Sequence, residues 1–157
     1  MAAMTDFFEN KLVDFIFRAQ ALGITGATAA AGTGPATLYV AAMTTVDNDA
    51  GSAKVEVTGG SYARVSVTSS LANWAGTQGA ASTTASSGSS GTTSNNAAIT
   101  FPAPSANWGS LTAFEIYDAA TGGNPLAYAS LTTAKTVNNG DPAPSFAAGA
   151  LTFQFDS

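Results

Sequence analysis

The chain has 157 residues, the length of one ordinary domain. Charged residues make up 10% of it, against a usual share of about 25%, and the formal net charge is −5. Histidine and cysteine are both absent, which excludes disulfides and thiolate chemistry and removes the commonest general base and metal ligand. No cofactor and no metal is therefore expected.

Residues 5–22 have the pattern of an amphipathic helix. The apolar stripe recurs at helical spacing and consists of Phe8, Leu12, Phe15, Ile16, Ala19 and Leu22. Phe7 and Phe17 lie partly off this stripe. The main interpretation is a wide apolar face packed on the domain's own core. The alternative is that the aromatic residues Phe7, Phe8 and Phe17 dock on a partner protein.

Both ends of this helix carry recognisable signals. Thr5 or Asp6 can serve as N-cap, and Asp6 with Glu9 resembles a capping box. Gly23 stands where a left-handed C-cap is expected. The acidic start of the chain lacks the positive charge of a secretion signal, and no apolar run approaches the roughly 20 residues of a membrane span. The sequence therefore predicts synthesis in the cytoplasm and no membrane partner.

A small-residue connector is predicted over 23–35, followed by a β domain over 36–157. Residues 36–45 read as the first strand. Two shorter strands follow, with alternating valines, and Gly59-Gly60 between them marks a bulge or tight turn. Strand patterns therefore begin directly after the connector.

The Ser/Thr-rich tract at 79–94 raises the question of whether two domains are present. The chain before it offers a helix and about three strands, and the chain after it offers strands without a helix, so neither side looks self-sufficient. The triplet Ala72-Asn73-Trp74 recurs as Ala106-Asn107-Trp108, which suggests two related edges of one structure. We therefore interpret 1–157 as a single domain and the tract as a long loop, or a polar edge strand, within it.

The last third predicts strands at 97–101, 111–117, 125–132 and 150–155. Residues 118–124 form a turn, in which Gly122 and Gly123 supply positive φ. Short strands separated by Gly, Pro and Asn turns are typical of antiparallel sandwiches and barrels. The predicted fold class is mainly β: a single antiparallel sandwich or jelly-roll-like domain with an N-terminal amphipathic helix.

Candidate chemistry is sparse. The stretch "DNDAG" at 47–51 begins like a calcium loop, but the glycine and glutamate that an EF-hand requires are missing, so a hairpin turn is expected. A glycosidase pair drawn from Glu56, Glu115 and Asp118 is a weak alternative, since nothing in the sequence selects two of them. Glu115 is expected to point outward or to face a partner subunit. No catalytic residue is predicted, and the protein is not expected to be an enzyme.

The two tryptophans, Trp74 and Trp108, admit three interpretations. Each indole can close one end of the core, with its N–H bonded to an acceptor. Contact with a partner subunit is the second interpretation. Sugar stacking, as in a carbohydrate-binding module, is the third. Core packing is favoured.

Longer stretches of the sequence resemble a family of small structural proteins of tailed bacteriophages. The most specific are "SNNAAITFPAP" at 94–104 and "NNGDPAPSF" at 138–146. Members are often labelled tail-fibre proteins, and others are similar to capsid cement, or decoration, proteins. The resemblance implies a jelly-roll-like β-fold, no catalytic motif and, for the cement proteins, binding to the outside of the shell.

The chain is short and has no fibrous repeat, and its low charge suits dense packing on a lattice. The expected function is therefore a cement protein on the capsid exterior that bridges copies of the major capsid protein. A tail-associated fibre or baseplate component is the first alternative, and a carbohydrate-binding module the second. A homo-oligomer, dimer or trimer, is expected. The five scattered cations argue against a nucleic-acid partner.

Overall fold

A computed structural model describes residues 4–23, 34–48, 50–76, 82–89 and 91–155. Over these residues the chain is mainly β, with antiparallel sheets and one N-terminal helix, as predicted. The elements are α1 (Asp6–Arg18), β1 (Thr37–Thr45), β2 (Val55–Glu56), β3 (Val65–Thr68), β4 (Thr92–Ser94), β5 (Ile99–Thr100), β6 (Gly109–Tyr117), β7 (Pro125–Val137), β8 (Ser145–Phe146) and β9 (Thr152–Gln154).

The chain forms two compact units, each assembled from separate stretches of sequence. Unit 1 comprises Met1–Ala36, Thr68–Ile99 and Phe146–Ser157, and unit 2 comprises Thr37–Val67 and Thr100–Ser145. The described part of the Ser/Thr-rich tract lies inside unit 1. Most of the predicted connector, residues 24–33, lies outside the described residues, as do positions 79–81 and 90 of the tract.

Unit 2 is built on an antiparallel sheet with strand order β2-β1-β6-β7, in which β3 also pairs with β1. Strand β1 runs against β6 in a continuous register from Tyr39↔Tyr117 to Met43↔Ala113. Because paired residues share a face, Ala41, Met43, Ala113 and Tyr117 form one buried cluster, with Tyr39 packed beside it. In the same register Phe114 and Ile116 occupy the opposite face of β6.

A second aromatic group in unit 2 surrounds Trp108. Its ring meets Tyr62 edge-on at 5.4 Å and Phe101 at 6.4 Å, and it is 5% exposed. The indole N–H donates to the Gly60 carbonyl at 2.9 Å. Gly60 has φ +56°, and a Cβ there would lie 3.0 Å from Trp108 Nε1. Only glycine fits this approach without strain, which explains Gly60; Gly59 also has a positive φ, +71°, but a Cβ there would meet open space.

Unit 1 begins with α1, which is shorter than predicted. The helix ends at Arg18 because Ala19 adopts a left-handed conformation, φ 54°, and the Gln20 N–H binds the Asp14 carbonyl. The predicted C-cap at Gly23 is therefore wrong. Thr5 is the N-cap, but its side chain makes no cap hydrogen bond; its carbonyl accepts from the N–H groups of Phe8 and Glu9 instead.

The prediction that the apolar stripe is the most deeply buried face of α1 is also wrong. Phe8, Leu12, Phe15 and Ile16 are only partly buried. The buried face consists of Glu9, Asn10, Val13, Asp14, Phe17 and Arg18. It mixes apolar and charged side chains because polar groups elsewhere in unit 1 bind Asn10, Asp14 and Arg18, as described below.

The apolar core of unit 1 forms around Phe17 and Trp74. The Phe17 ring lies 5.0 Å from that of Trp74 and 5.1 Å from that of Phe153 on β9. Strand β9 pairs antiparallel with β4, with Thr93 opposite Phe153. Asn95, directly after β4, is buried and accepts from the Leu151 N–H while its amide donates to the carbonyls of Ala97 and Ala147. These bonds join β4 to the chain segment that leads into β9.

Candidate interaction site

The five aromatic residues predicted as partner contacts fall into three environments. Phe7, on the outward side of α1, is 59% exposed, with the Lys11 ammonium 5.8 Å from its ring centroid. Phe8 is half-buried. Phe17, Trp74 and Trp108 are at most 5% exposed and pack inside their own units. Of the five, Phe7 therefore presents the largest apolar surface to solvent, and partner contact by these residues stays a prediction.

The tryptophans differ in their polar atoms. Trp108 fulfils the expectation of a core indole whose N–H has an acceptor, since it donates to Gly60. Trp74 is fully buried, and its N–H has no hydrogen-bond partner among the described residues. Its isolated bridge to Asn95 is a backbone contact. With both rings buried, neither offers the open face on which a sugar stacks.

Three polar side chains of α1 hold the Ser/Thr-rich tract. Asn10, Asp14 and Arg18 are spaced four residues apart and therefore lie on one stripe of the helix. Asn10 donates to the Gly88 carbonyl at 2.8 Å. Asp14 accepts from the N–H and hydroxyl of Ser86 at 2.9 and 2.6 Å. This stripe is called the α1 clamp below.

Arg18 makes the most contacts in the clamp. Its guanidinium pairs with Asp14 and donates to the carbonyls of Ser82 and Thr84, at 2.9 and 2.6 Å, and to the Ser86 hydroxyl at 3.0 Å. The side chain is fully buried. Such charge-assisted hydrogen bonds are about twice as strong as neutral ones. A tract with the composition of a flexible linker is thereby an ordered part of unit 1 over the described positions.

Unit 2 contains a second polar network around Lys54. Its ammonium lies 3.3 Å from the Asp47 carboxylate and 3.5 Å from that of Glu115, and both carboxylates are buried. The Tyr117 hydroxyl donates to the second oxygen of Glu115 at 2.6 Å. Asp47 also accepts from the backbone N–H groups of Asn48 and Ala53 at 2.8 and 3.1 Å. One cation thus pairs with two acids, which leaves one negative charge uncompensated when both are ionised.

The two acids respond oppositely to this environment. Burial opposes ionisation of Asp47, but hydrogen bonds from Asn48, Ala53 and Lys54 outweigh it and lower the pKa of Asp47 to about 2. Burial raises the pKa of Glu115, and the neighbouring Asp47 adds to that effect, while the Tyr117 hydroxyl and Lys54 oppose it. The pKa of Tyr117 rises to about 12, chiefly through burial. As the pH falls, Glu115 is therefore protonated before Asp47.

A third polar group in unit 2 closes the turn between β6 and β7. Arg64 forms a salt bridge with Glu56 at 2.7 Å and lies 3.4 Å from the Tyr117 ring centroid. It also donates to the carbonyls of Ala119 and Gly122 in the turn, at 2.9 and 2.8 Å. Asp118 accepts from the backbone N–H of Asn124 at 2.7 Å. The turn is held from its own ends and by Arg64, which directly precedes β3.

The structure gives each candidate carboxylate of the glycosidase alternative a role in holding the fold. Glu56 binds Arg64 and Tyr62, Glu115 is enclosed by Tyr117 and Lys54, and Asp118 caps the turn. The expectation that Glu115 points outward is wrong, because β6 is an interior strand with both faces covered. Among the described residues, no group of three or more side chains is placed to hold a metal ion.

Sequence reasoning missed both the α1 clamp and the Lys54 network. The clamp had one visible signal, the spacing of Asn10, Asp14 and Arg18, but its partners lie 64 to 78 residues away along the chain. The Lys54 network had none, since Asp47, Lys54 and Glu115 come from a turn, a loop and a distant strand.

In the described ranges, no helix is long and apolar enough to cross a membrane.

Comparison with known proteins finds one matching protein family. The family model described as "Podophage GP4 fiber I protein gp80" matches residues 3–154. No curated protein matches the chain. The match agrees with the resemblance to phage structural proteins and with the fibre label that many of those members carry. It gives no support to the cement family in particular.

Proposed function

Because the chain belongs to the family of the podophage GP4 fiber I protein gp80, and is thus a bacteriophage structural protein of the virion, we propose that it is a tail-associated component of a fibre. The family match over residues 3–154 carries this proposal, since it covers both compact units. The cement function on the capsid exterior, expected from the low charge and the lack of repeats, is replaced by the first alternative of the sequence analysis.

Most of the cations form salt bridges within the fold, and this supports a structural role. Of the five cations, Arg18, Lys54 and Arg64 are bound in salt bridges inside their own units. The remaining surface is dominated by Ser, Thr, Ala and Gly and has little charge with which to attract nucleic acid. We propose no catalytic role, because the candidate acids are occupied by contacts that hold strands and turns.

The proposal is tested by counting and locating the protein in purified virions. Quantitative mass spectrometry should find far fewer copies than of the major capsid protein, and antibody labelling in electron micrographs should mark the tail. A copy number close to that of the major capsid protein, with label over the shell, would restore the cement function. Absence of the protein from virions would overturn both.

A further inference from the structure

Lys54 places a primary amine between two buried carboxyl groups of unit 2. Its Nζ atom lies 3.3 Å from Asp47 Oδ2 and 3.5 Å from Glu115 Oε1, and both carboxyl side chains are buried. No other residue of the described chain donates a hydrogen bond to either oxygen. An amine, an acyl group and a second carboxyl group held in contact are the components of amide formation between side chains.

The surroundings of Glu115 give its two oxygens different chemical roles. Oε2 accepts from the Tyr117 hydroxyl at 2.6 Å, so negative charge that develops on this oxygen is stabilised. Oε1 faces Lys54 instead. Burial raises the pKa of Glu115, and an amine attacks a protonated acid far more readily than a carboxylate. Glu115 therefore has the properties of the acyl group.

Asp47 has the properties of the base that removes a proton from the amine. Its Oδ1 accepts from the backbone N–H groups of Asn48 and Ala53 at 2.8 and 3.1 Å, and Oδ2 is left to contact Lys54. Burial opposes ionisation, but these bonds outweigh it and lower the pKa of Asp47 to about 2. An ionised carboxylate in a fixed position can take up a proton and resists attack by the amine.

We propose that Lys54 and Glu115 join in an isopeptide bond, an amide between their side chains, with Asp47 as the base and Tyr117 as the donor to the oxygen that stays. Asp47 takes a proton from the Lys54 ammonium, and the freed amine attacks the carboxyl carbon of protonated Glu115. Asp47 passes its proton to the Oε1 hydroxyl, which leaves as water, and then takes the second proton from the nitrogen and releases it to solvent. One C–N bond forms and one C–O bond breaks; nothing is oxidised or reduced.

The reactive protonation state is a minor one, and proximity compensates for it. Burial disfavours the charge of Lys54, but its bonds to Asp47 and Tyr117 outweigh that and raise its pKa above the ordinary value of 10.5. Fewer than about one Lys54 in 3,000 is therefore neutral at pH 7. Well-oriented intramolecular groups react as if present at about 10⁵–10⁸ M, which exceeds that factor. We therefore expect slow closure in the folded chain.

Solvent reaches this network from one side. The Lys54 side chain is 25% exposed, whereas that of Glu115 is fully buried. The released water and proton can leave past Lys54, while the acyl carbon is shielded from hydrolysis. The new amide N–H would face Asp47 Oδ2 and replace the ammonium as its donor. Before the bond forms the network titrates as described above; afterwards Asp47 is the one acid of the pair that can titrate.

The bond would tie the two ends of the unit 2 sheet together. Lys54 directly precedes β2, and Glu115 lies on β6, an interior strand distant in sequence. A covalent link between them closes a long loop of the chain and restricts the unfolded state, as a disulfide does. The chain contains no cysteine with which to do this otherwise. The inference rests on unit 2 and does not depend on a location in the tail.

The intact mass of the full-length chain, measured under denaturing conditions, tests for the bond. The natural chain should be lighter than its sequence mass by one water molecule, in a fraction that grows with time after synthesis. Lys54→Arg keeps the positive charge but supplies no nucleophilic amine, so it should keep its full mass. Lys135→Arg, on β7, is the matched control and should lose the water like the natural chain.

Peptide mapping identifies the two partners. Trypsin cleaves after arginine and free lysine but not after an acylated lysine, so the expected product is 19–64 joined to 65–135. Glu115→Ala should abolish this product. Asp47→Asn should slow its formation by about a hundredfold or more, since a general base contributes about 10²–10⁴-fold. Circular dichroism establishes that each variant is folded.

Several results would overturn the proposal. A natural chain that keeps its full mass excludes the bond, and water loss that persists in Lys54→Arg places the reaction elsewhere. A bond from Lys54 to Asp47 would appear as 19–64 lighter by one water and not joined to 65–135, and it would exclude Glu115 as the acyl group. Closure of Asp47→Asn at the natural rate would exclude Asp47 as the base.

Discussion

Replacing Arg18 with methionine tests the α1 clamp, since methionine keeps most of the length and apolar volume of the side chain. The substitution removes the four contacts of the guanidinium: with Asp14, the Ser86 hydroxyl, and the carbonyls of Ser82 and Thr84. Asp14 would keep its two bonds from Ser86 but would remain a buried carboxylate without a counter-charge. The expected result is a large loss of stability.

The magnitude follows from the burial of both partners. Removing one member of a buried ion pair costs about 3–5 kcal/mol, because the other charge stays uncompensated. That is at least about a fifth of the roughly 5–15 kcal/mol that stabilises a typical domain. A surface pair would give at most about 1 kcal/mol. Adding Asp14→Asn to Arg18→Met removes the uncompensated charge, so the double variant should be more stable than Arg18→Met alone.

Urea unfolding measures the free energy change, and hydrogen exchange followed by mass spectrometry locates it. Exchange of the backbone amides over 82–89 should accelerate in Arg18→Met, because the tract loses the side chain that binds its carbonyls. Lys11→Met is the matched control on the same helix, where the cation is only partly buried, and should stay within about 0.5 kcal/mol. Equal effects of the two substitutions would refute the clamp as an energetic feature.

Three further predictions concern unit 2. The lowered pKa of Asp47 stabilises the fold fully above its ordinary pKa of 3.8, and this stabilisation is lost as the pH falls through about 2. The raised pKa of Glu115 has the opposite effect: ionising this carboxyl group destabilises the fold as the pH rises. Relative to the natural chain, Asp47→Asn should therefore regain stability on acidification from pH 4 to pH 2, and Glu115→Gln should gain it on going toward neutral pH; urea titrations that give both variants the same sign contradict the assignment. Gly60→Ala and Gly59→Ala both place a side chain at positive φ, at a cost of about 1–2 kcal/mol. Of the two positions, only 60 also has Trp108 and Ala106 at 3.0 Å from the new Cβ, so thermal unfolding should show the greater loss of stability there. Equal losses would mean that the contact is relieved without cost. Tyr62→Phe removes the hydroxyl that accepts from the Ala42 N–H and donates to Glu56, and it should cost about 1–3 kcal/mol in denaturant unfolding; a cost near zero would show that water replaces the hydroxyl.

The strands of unit 2 were largely predictable because their signals are local. The apolar run in 37–45 and the strand pattern in 111–117, with the glycine pair at 122–123, are enough to place β1, most of β6 and the turn before β7. The far end of β7 was not predicted, since 133–137 have no clear alternation and are ordered by pairing with β6. Periodicity within a segment reports local structure and carries no information about a distant partner.

The errors on α1 and Glu115 have a common physical origin. Hydrophobic periodicity assigns burial to apolar side chains, yet Asp14, Arg18 and Glu115 are among the most buried residues of the chain. Each is buried because an opposite charge meets it: Arg18 pairs with Asp14, and Lys54 with Glu115. Only the pair within α1 is close in sequence, and even there the burial depends on a tract more than 60 residues away.

The alternation of the two units along the chain fixes the order in which they are completed during translation. All of unit 2 has been synthesised once Ser145 is added, whereas unit 1 still lacks Phe146–Ser157 and therefore β9. At about 5–20 residues per second the ribosome needs on the order of one second more for those twelve positions. During that interval Phe17 lacks its Phe153 neighbour, and the nascent helix carries an apolar and charged face with no completed sheet to cover it. Helix α1 therefore reaches its native environment only after Phe153, which follows it by more than 130 positions, has been made.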